Sequence, residues 1–181
     1  MSEVTFENID GLVLTERMPE KDERGSFCRA FNLELSDLTA GRGSLATCIS
    51  MNFHAGTIRG LHIQIKPFEE RKWITCLDGA IFDVVLDLRT SSPTFGCWAS
   101  MELKAEDNLT LEIPEGVAHG YQTLSPHSRI LYSILGTYSS SYRKTINPFD
   151  KELDVRWPLP ASTISHTDRQ APSLYDYLKA T

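Results

Sequence analysis

Between Gly56 and Leu88 the chain reads GTIRGLHIQIKPFEERKWITCLDGAIFDVVLDL, and the alternation inside that stretch leaves little freedom of fold. Leu61, Ile63 and Ile65 take turns with His62, Gln64 and Lys66, the period of two that gives a strand one apolar and one polar face. A second run, Lys72 to Leu77, follows a turn rich in Lys, Pro and Glu. A third follows Asp78-Gly79, a strong short hairpin signal, so each run is expected to lie antiparallel to its neighbour. In the third, Phe82, Val84, Leu86 and Leu88 form one face while Asp83 and Asp87 alternate onto the other. If the polar faces look into a cavity, that cavity holds a base, a cation and a carboxylate; if they look into water, they carry no special meaning.

Seven further runs have the same character: Gly11 to Thr15, Ser26 to Phe31, Ser44 to Phe53, Cys97 to Leu103, Leu109 to Ile113, Val117 to Leu124 and Arg129 to Leu135. Ten short strands separated by turn residues predict an all-β sandwich or barrel. Helix is expected only over Leu33 to Leu38 and, after Ala171-Pro172, over Ser173 to Lys179 with Ser173 capping its first turn. From Asn147 onward, Pro148, Pro158, Pro160 and Pro172 space the chain into a wrapping tail. The reading is one domain over residues 1–181: a body to about residue 146 with an N-terminal arm, then a C-terminal extension over 147–181.

Composition narrows the function. The 181 residues suffice for one sizeable core, and 41% apolar with 23% charged residues is the balance of an ordinary soluble globular protein. A net charge of -6 argues against holding nucleic acid by a general field, though a local basic pocket for phosphate is allowed. MSEVTFENID lacks the basic and apolar regions of a signal peptide, and no run of 18 apolar residues occurs, so a cytoplasmic protein with no membrane association is expected. Cys28, Cys48, Cys76 and Cys97 are scattered through strand-like apolar contexts and read as buried, reduced thiols.

Four side chains are candidates for chemistry, each with a plain structural reading beside it. His62 takes up a proton near neutrality without large tuning, yet a lone strand histidine is often structural. His119, in EGVAHGY, shares a face with Val117 and Tyr121 between Gly116 and Gly120, which permit close backbone approach. Tyr132, in RILYSIL, is either a core aromatic or a proton donor. Lys72 is either a solvated lysine or, in a simple hairpin register, a neighbour of His62. Arg24 and Arg59 each precede a glycine, a setting open to phosphate. For a metal, the same-face residue after His62 is Gln64, and His62 with Glu69 or Glu70 and His119 makes only a poor ligand set, so none is expected.

The sequence resembles the dTDP-4-dehydrorhamnose 3,5-epimerase family. The matching segments are RGSFCRAF, GTIRGLHIQ, ERKWITCLDGAIFDVVLDLRTSSPTFG, LEIPEGVAHGYQTL and RILYSILGTY, with a weaker match in SHTDRQAP, together covering most of the chain. The resemblance implies a jelly-roll cupin fold with a short helical tail, a homodimer whose N-terminal strands cross to the partner, and a cofactor-free epimerase of a nucleotide-diphosphate-linked 4-keto-6-deoxyhexose. It makes His62 the base, Asp168 its partner, Tyr132 the acid on the opposite face of the sugar and Lys72 the group that steadies the enolate. It places His119, Arg59, Arg24, Tyr138, Ser50 and Asn52 around the sugar and the phosphates. The acid-base logic agrees, because inversion needs a proton to leave one face and return to the other, each step contributing about 10²- to 10⁴-fold.

Several positions depart from the family pattern. Ala46 and Cys48 stand where a Gln-x-Asn pair is common on the strand before GTIRG, although Ser50 and Asn52 remain. A usual glutamate is replaced near Arg143, and the proline after Tyr138 is missing from YSSSYRK. These are substrate contacts, which keeps two alternatives open: a single-centre epimerase or 3,4-ketoisomerase of the same fold, and a sugar-nucleotide-binding protein without turnover.

Overall fold

The computed structural model describes residues 2–33 and 43–180. The helix expected over Leu33 to Leu38 lies almost wholly outside them. Strands β1 (Ser2–Thr5), β2 (Val13–Glu16), β5 (Ser44–Met51), β7 (Arg71–Asp78), β10 (Leu109–Ile113) and β12 (Arg129–Gly136) make one sheet in the order β1-β2-β10-β7-β12-β5. The second sheet runs β13 (Arg143–Thr145), β6 (Thr57–Gln64), β11 (Val117–Thr123), β8 (Ala80–Asp87), β9 (Trp98–Lys104), and β14 (Thr163–Ile164) lies parallel against β6. A separate hairpin joins β3 (Glu20–Asp22) to β4 (Gly25–Phe27).

The three central runs do not form consecutive hairpins. β6 and β8 belong to the second sheet with β11 between them, whereas β7 lies in the first. Asp78-Gly79 therefore carries the chain from one sheet to the other; Gly79 takes a φ of +74° to do so. A period-two pattern fixes which side chains share a face, and it is silent on which sheet the strand joins.

The two faces of each strand have separate destinations. Between the sheets, Ile74, Cys76, Leu111, Ile113 and Ile130 of the first meet Ile81, Val85, Ala99, Leu103, Val117 and Tyr121 of the second. On the outer side of the second sheet, Leu61, Ile63, Val84, Leu86 and Ala118 pack against Ile146, Leu153 and Tyr177 of the C-terminal extension. The apolar faces read from the sequence are thus covered by the tail, and the polar faces of β6 and β8 look inward. Each aliphatic side chain so buried contributes about 1.5–3 kcal/mol.

Two short helices end the chain, α1 (His166–Arg169) and α2 (Leu174–Ala180), the latter with Ser173 Oγ accepting from the Asp176 amide at 3.1 Å. Of the cysteines only Cys76 is buried, while Cys48 and Cys97 are exposed and Cys28 is intermediate, all four free. Strand propensity alone did not say which face a thiol would take. Leu12 is fully buried in its own chain's core, and β2 is paired on both sides by β1 and β10.

Candidate active site

A cavity of about 350 Å³ opens between the sheets, walled by His62, Gln64, His119 and Tyr121 from the second and by Cys48, Ser50, Lys72, Tyr132 and Ile134 from the first. His62 and Tyr132 therefore stand on opposing walls. Glycine makes this possible locally: Gly60 of β6 (φ +125°) and Gly120 of β11 approach so closely that a Cβ on Gly60 would lie 2.5 Å from the Gly120 Cα. The β6–β11 register shifts at this contact, between His119 and Tyr121.

His62 is held from the far end of the chain. Asp168 on α1 accepts from His62 Nε2 at 2.7 Å, and its other oxygen accepts from the Gly60 amide at 3.3 Å. Burial pushes the Asp168 carboxyl up, but the hydrogen bonds from His62, Gly60 and Ser165 outweigh it and hold the group below the usual carboxylate range. Asp168 stays ionised, and Nδ1 is the ring nitrogen left to take a proton.

Lys72 reaches the cavity from the sheet opposite His62, which corrects the expectation of neighbouring strands. Its Nζ lies 3.4 Å from Glu70 Oε2. Burial lowers its pKa, opposed by the Glu70 charge and reinforced by Arg143. Glu70 also accepts from Gln64 Nε2 at 2.6 Å, and Gln64 Oε1 accepts from the Ser139 amide at 2.7 Å. Those partners fix the ammonium in place.

Behind these groups lies a second imidazole-carboxylate pair, His119 Nε2 with Asp83 Oδ2 at 2.8 Å, both buried. Burial raises the Asp83 carboxyl against the pull of His119, and its Oδ1 has no hydrogen-bond partner. The His119 ring meets Tyr132 edge-on at 6.0 Å. Burial, with Tyr121 and Asp83 nearby, raises the Tyr132 phenol well above the ordinary tyrosine value. Tyr132 is thus a protonated phenol at neutral pH, in the form needed to donate.

Ser50, Asn52, Arg59 and Tyr121 form one network. The Tyr121 hydroxyl is 2.9 Å from Ser50 Oγ and 3.2 Å from Asn52 Oδ1, which also accepts from Arg59 Nε at 2.9 Å. Tyr138 lines the cavity and is 64% exposed. Arg24 is the one predicted site residue that the fold does not bring here; it lies on the β3–β4 hairpin, paired with Asp22 at 2.5 Å. Among the described residues no three of His, Cys, Asp or Glu converge as metal ligands. A larger groove of about 670 Å³ runs beside Tyr177 and Leu178, but of the cavity's polar groups it shares only Gln64. Volume is therefore a poor guide to the chemistry in this fold.

Sequence reasoning left Glu70, Gln64 and Tyr121 without roles. Glu70 had a signal in its spacing from Lys72; the others depend on contacts between distant strands.

The family profile described as dTDP-4-dehydrorhamnose 3,5-epimerase matches residues 7–176. The chain belongs to the dTDP-4-dehydrorhamnose 3,5-epimerase family. A Shigella flexneri enzyme of that name is 35% identical over 156 residues, covering 86% of each chain. A Streptomyces niveus relative named dTDP-4-dehydrorhamnose 3-epimerase is 32% identical over 159 residues, 86% of this chain and 77% of its own. The crystal structure of the Bacillus anthracis 3,5-epimerase with TDP and PPi bound superposes with a TM-score of 0.86 at 35% identity, covering 96% of this chain and 99% of that one. Membership places the chain among the epimerases, a class of isomerase, and its jelly-roll architecture is that of the family.

Proposed function

We propose that this epimerase inverts C3, C5 or both in a 4-keto-6-deoxyhexose carried on a nucleoside diphosphate. The reading rests on one observation: an imidazole paired with a carboxylate and a protonated phenol face each other across one cavity, with a fixed ammonium beside it. His62 removes the proton from the carbon next to the keto group, and the bonding electrons move onto the C4 oxygen. Lys72 and His119 stabilise that enolate, where fixed charges in a water-poor site are worth several kcal/mol, about 3–4 for each well-placed donor. Tyr132 returns a proton to the opposite face, and solvent afterwards resets His62 and Tyr132. Tyr138 offers an exposed ring on which the nucleobase stacks.

Incubation with dTDP-linked 4-keto-6-deoxy sugars in deuterated water is expected to place deuterium at C3 or C5. Absence of label with every member of the panel would sink the proposal. His62→Asn is expected to lose exchange at both carbons, and Tyr132→Phe to lose inversion. A single-centre reaction is the second reading, because Cys48 lines the cavity at a position that departs from the family pattern and one relative is named a 3-epimerase. One deuterium per sugar rather than two would establish it.

The enzyme works in this reading as a cytoplasmic homodimer. Edge strand β5 and the loop after it present Ile49, Met51 and Phe53, each at least 60% exposed, an apolar stripe suited to a second copy. With β1 and β2 paired inside their own sheet, the exchanged element is the β3–β4 arm, which carries Arg24 to the partner's cavity. Ile49→Asp with Met51→Asp is expected to give a monomer by sedimentation. No helix among the described residues is long and apolar enough to cross a membrane.

A further inference from the structure

The cavity meets a second cleft of about 420 Å³, lined by Thr57, Thr163, Ser165, Thr167 and Asp168. Only three residues belong to both: Arg59, His62 and Arg143. Both arginines are exposed, so two guanidinium groups flank the base at the mouth. Arg143 opens β13 directly opposite Gln64 of β6, and the shared register turns it inward.

Its hydrogen bonding is incomplete. Arg143 Nη2 lies 3.1 Å from His62 Nε2, the nitrogen that already sits 2.7 Å from Asp168. A carboxylate only accepts, so Nε2 carries the hydrogen and donates; a guanidinium also only donates. The N–H of Arg143 thus faces another donor and remains unspent. Among the described residues no carboxylate pairs with Arg143 or Arg59, whereas the two acids of these cavities are committed, Glu70 to Lys72 and Gln64, and Asp168 to His62. With His62 neutral, the cavity residues carry a net surplus of one positive charge, and neither guanidinium has a carboxylate of its own. On β5, Ala46 and Cys48 supply no strong donor that could share the load.

Resting on the proposed reading of the site, we infer that Arg143 is a specificity-determining residue that grips the substrate's diphosphate together with Arg59. Sugar stereochemistry leads to the same place. In an α-linked hexopyranose of gluco configuration the hydrogens on C3 and C5 and the anomeric oxygen are all axial on one face. A base that reaches either hydrogen therefore shares that face with the phosphate, and a cation touching the base is within reach of it. The contact is charge-assisted on both sides and of the bidentate kind at which arginine excels.

The test uses Arg143→Gln and Arg143→Lys in the full chain. Calorimetric titration with inorganic pyrophosphate reads the anion site without turnover, and steady-state kinetics with a dTDP-linked 4-keto-6-deoxyhexose reads the reaction. Arg143→Gln is expected to raise both the pyrophosphate Kd and the KM by about tenfold to a hundredfold with kcat kept within about threefold. Arg143→Lys is expected to recover part of the loss. Unchanged pyrophosphate affinity would overturn the inference, and so would a fall in kcat at constant KM, which would tie Arg143 to the base. Wild-type protein that binds pyrophosphate through Arg143 yet gives no solvent exchange would instead overturn the epimerase reading and leave the anion contact standing.

Discussion

Asp83 and Asp87 lie four residues apart on β8, point to the same side and are both completely buried, yet their surroundings are opposite. Asp87 accepts from the Arg89 amide and guanidinium, Ser92 Oγ and Thr94 Oγ1, all within 2.6–2.9 Å. Burial alone would raise its pKa; those donors outweigh burial and bring it down to about 2. Asp83 has His119 and nothing else, and burial wins. One end of the strand closes a loop with every acceptor filled, while the other keeps unused capacity beside the cavity. A buried carboxylate is costly in either place, and only at Asp87 do local partners offset the cost in full. The difference marks which acid serves the fold and which serves the site.

The largest effect is expected from Asp87→Ala, which strands the Arg89 guanidinium and two hydroxyls. Denaturant unfolding should lose about 3 kcal/mol or more, with kcat of the folded fraction unchanged. A loss below 1 kcal/mol would mean that the network is ornamental. His119→Ala is the counterpart at the cavity end: kcat should fall by about 10²- to 10³-fold with a smaller loss of stability. Asp83→Asn, which acts through His119, should lower kcat less and shift its pH profile. If the two aspartate variants exchanged phenotypes, the contrast would be wrong.

Titration sharpens the comparison. Asp87 is depressed, so its contribution is complete above the ordinary carboxylate range and is lost as pH falls through about 2. It amounts to about 2 kcal/mol. Unfolding measured from neutral pH down to 2 should show that slope in the wild type and a flatter one in Asp87→Asn. Asp83 is raised, so above the ordinary carboxylate range the folded state retains a proton that the unfolded state releases. The wild type should therefore lose stability relative to Asp83→Asn as pH rises through that range.

The smallest effect concerns Lys72, the buried cation of the cavity. Burial outweighs Glu70 and lowers its pKa, whereas Tyr132 is raised. The alkaline fall in kcat should begin below the lysine range and belong to Lys72. Lys72→Arg, charged throughout, should lose about tenfold in kcat at neutral pH and move that limb upward. An unmoved limb would assign it elsewhere.

Much of this molecule was legible in the chain. Alternation separated His62 and Gln64 from Leu61 and Ile63, the motifs named the family, and Ser173 announced the last helix. Pairing was less legible: Asp78-Gly79 reads as a hairpin turn locally and acts as a bridge between sheets, because a turn signal specifies reversal without naming the partner strand. Arg24 shows another limit, since it sits in a matching motif and lies far from the cavity of its own chain. Glu70 stood in the sequence as one of two adjacent acids near Lys72, and only the fold showed which of them pairs with it.

The sequence by itself determined the all-β class, the sets of residues that share a face and their acid-base character, because a period of two and side-chain chemistry are local properties. The tertiary structure alone decided that β6 and β7 face each other and that Asp83 is left short of donors while Asp87 is not. It also decided that Arg143 reaches His62 across the edge of a sheet. Those outcomes depend on contacts between residues distant in the chain, 81 positions apart for His62 and Arg143, which no local pattern encodes.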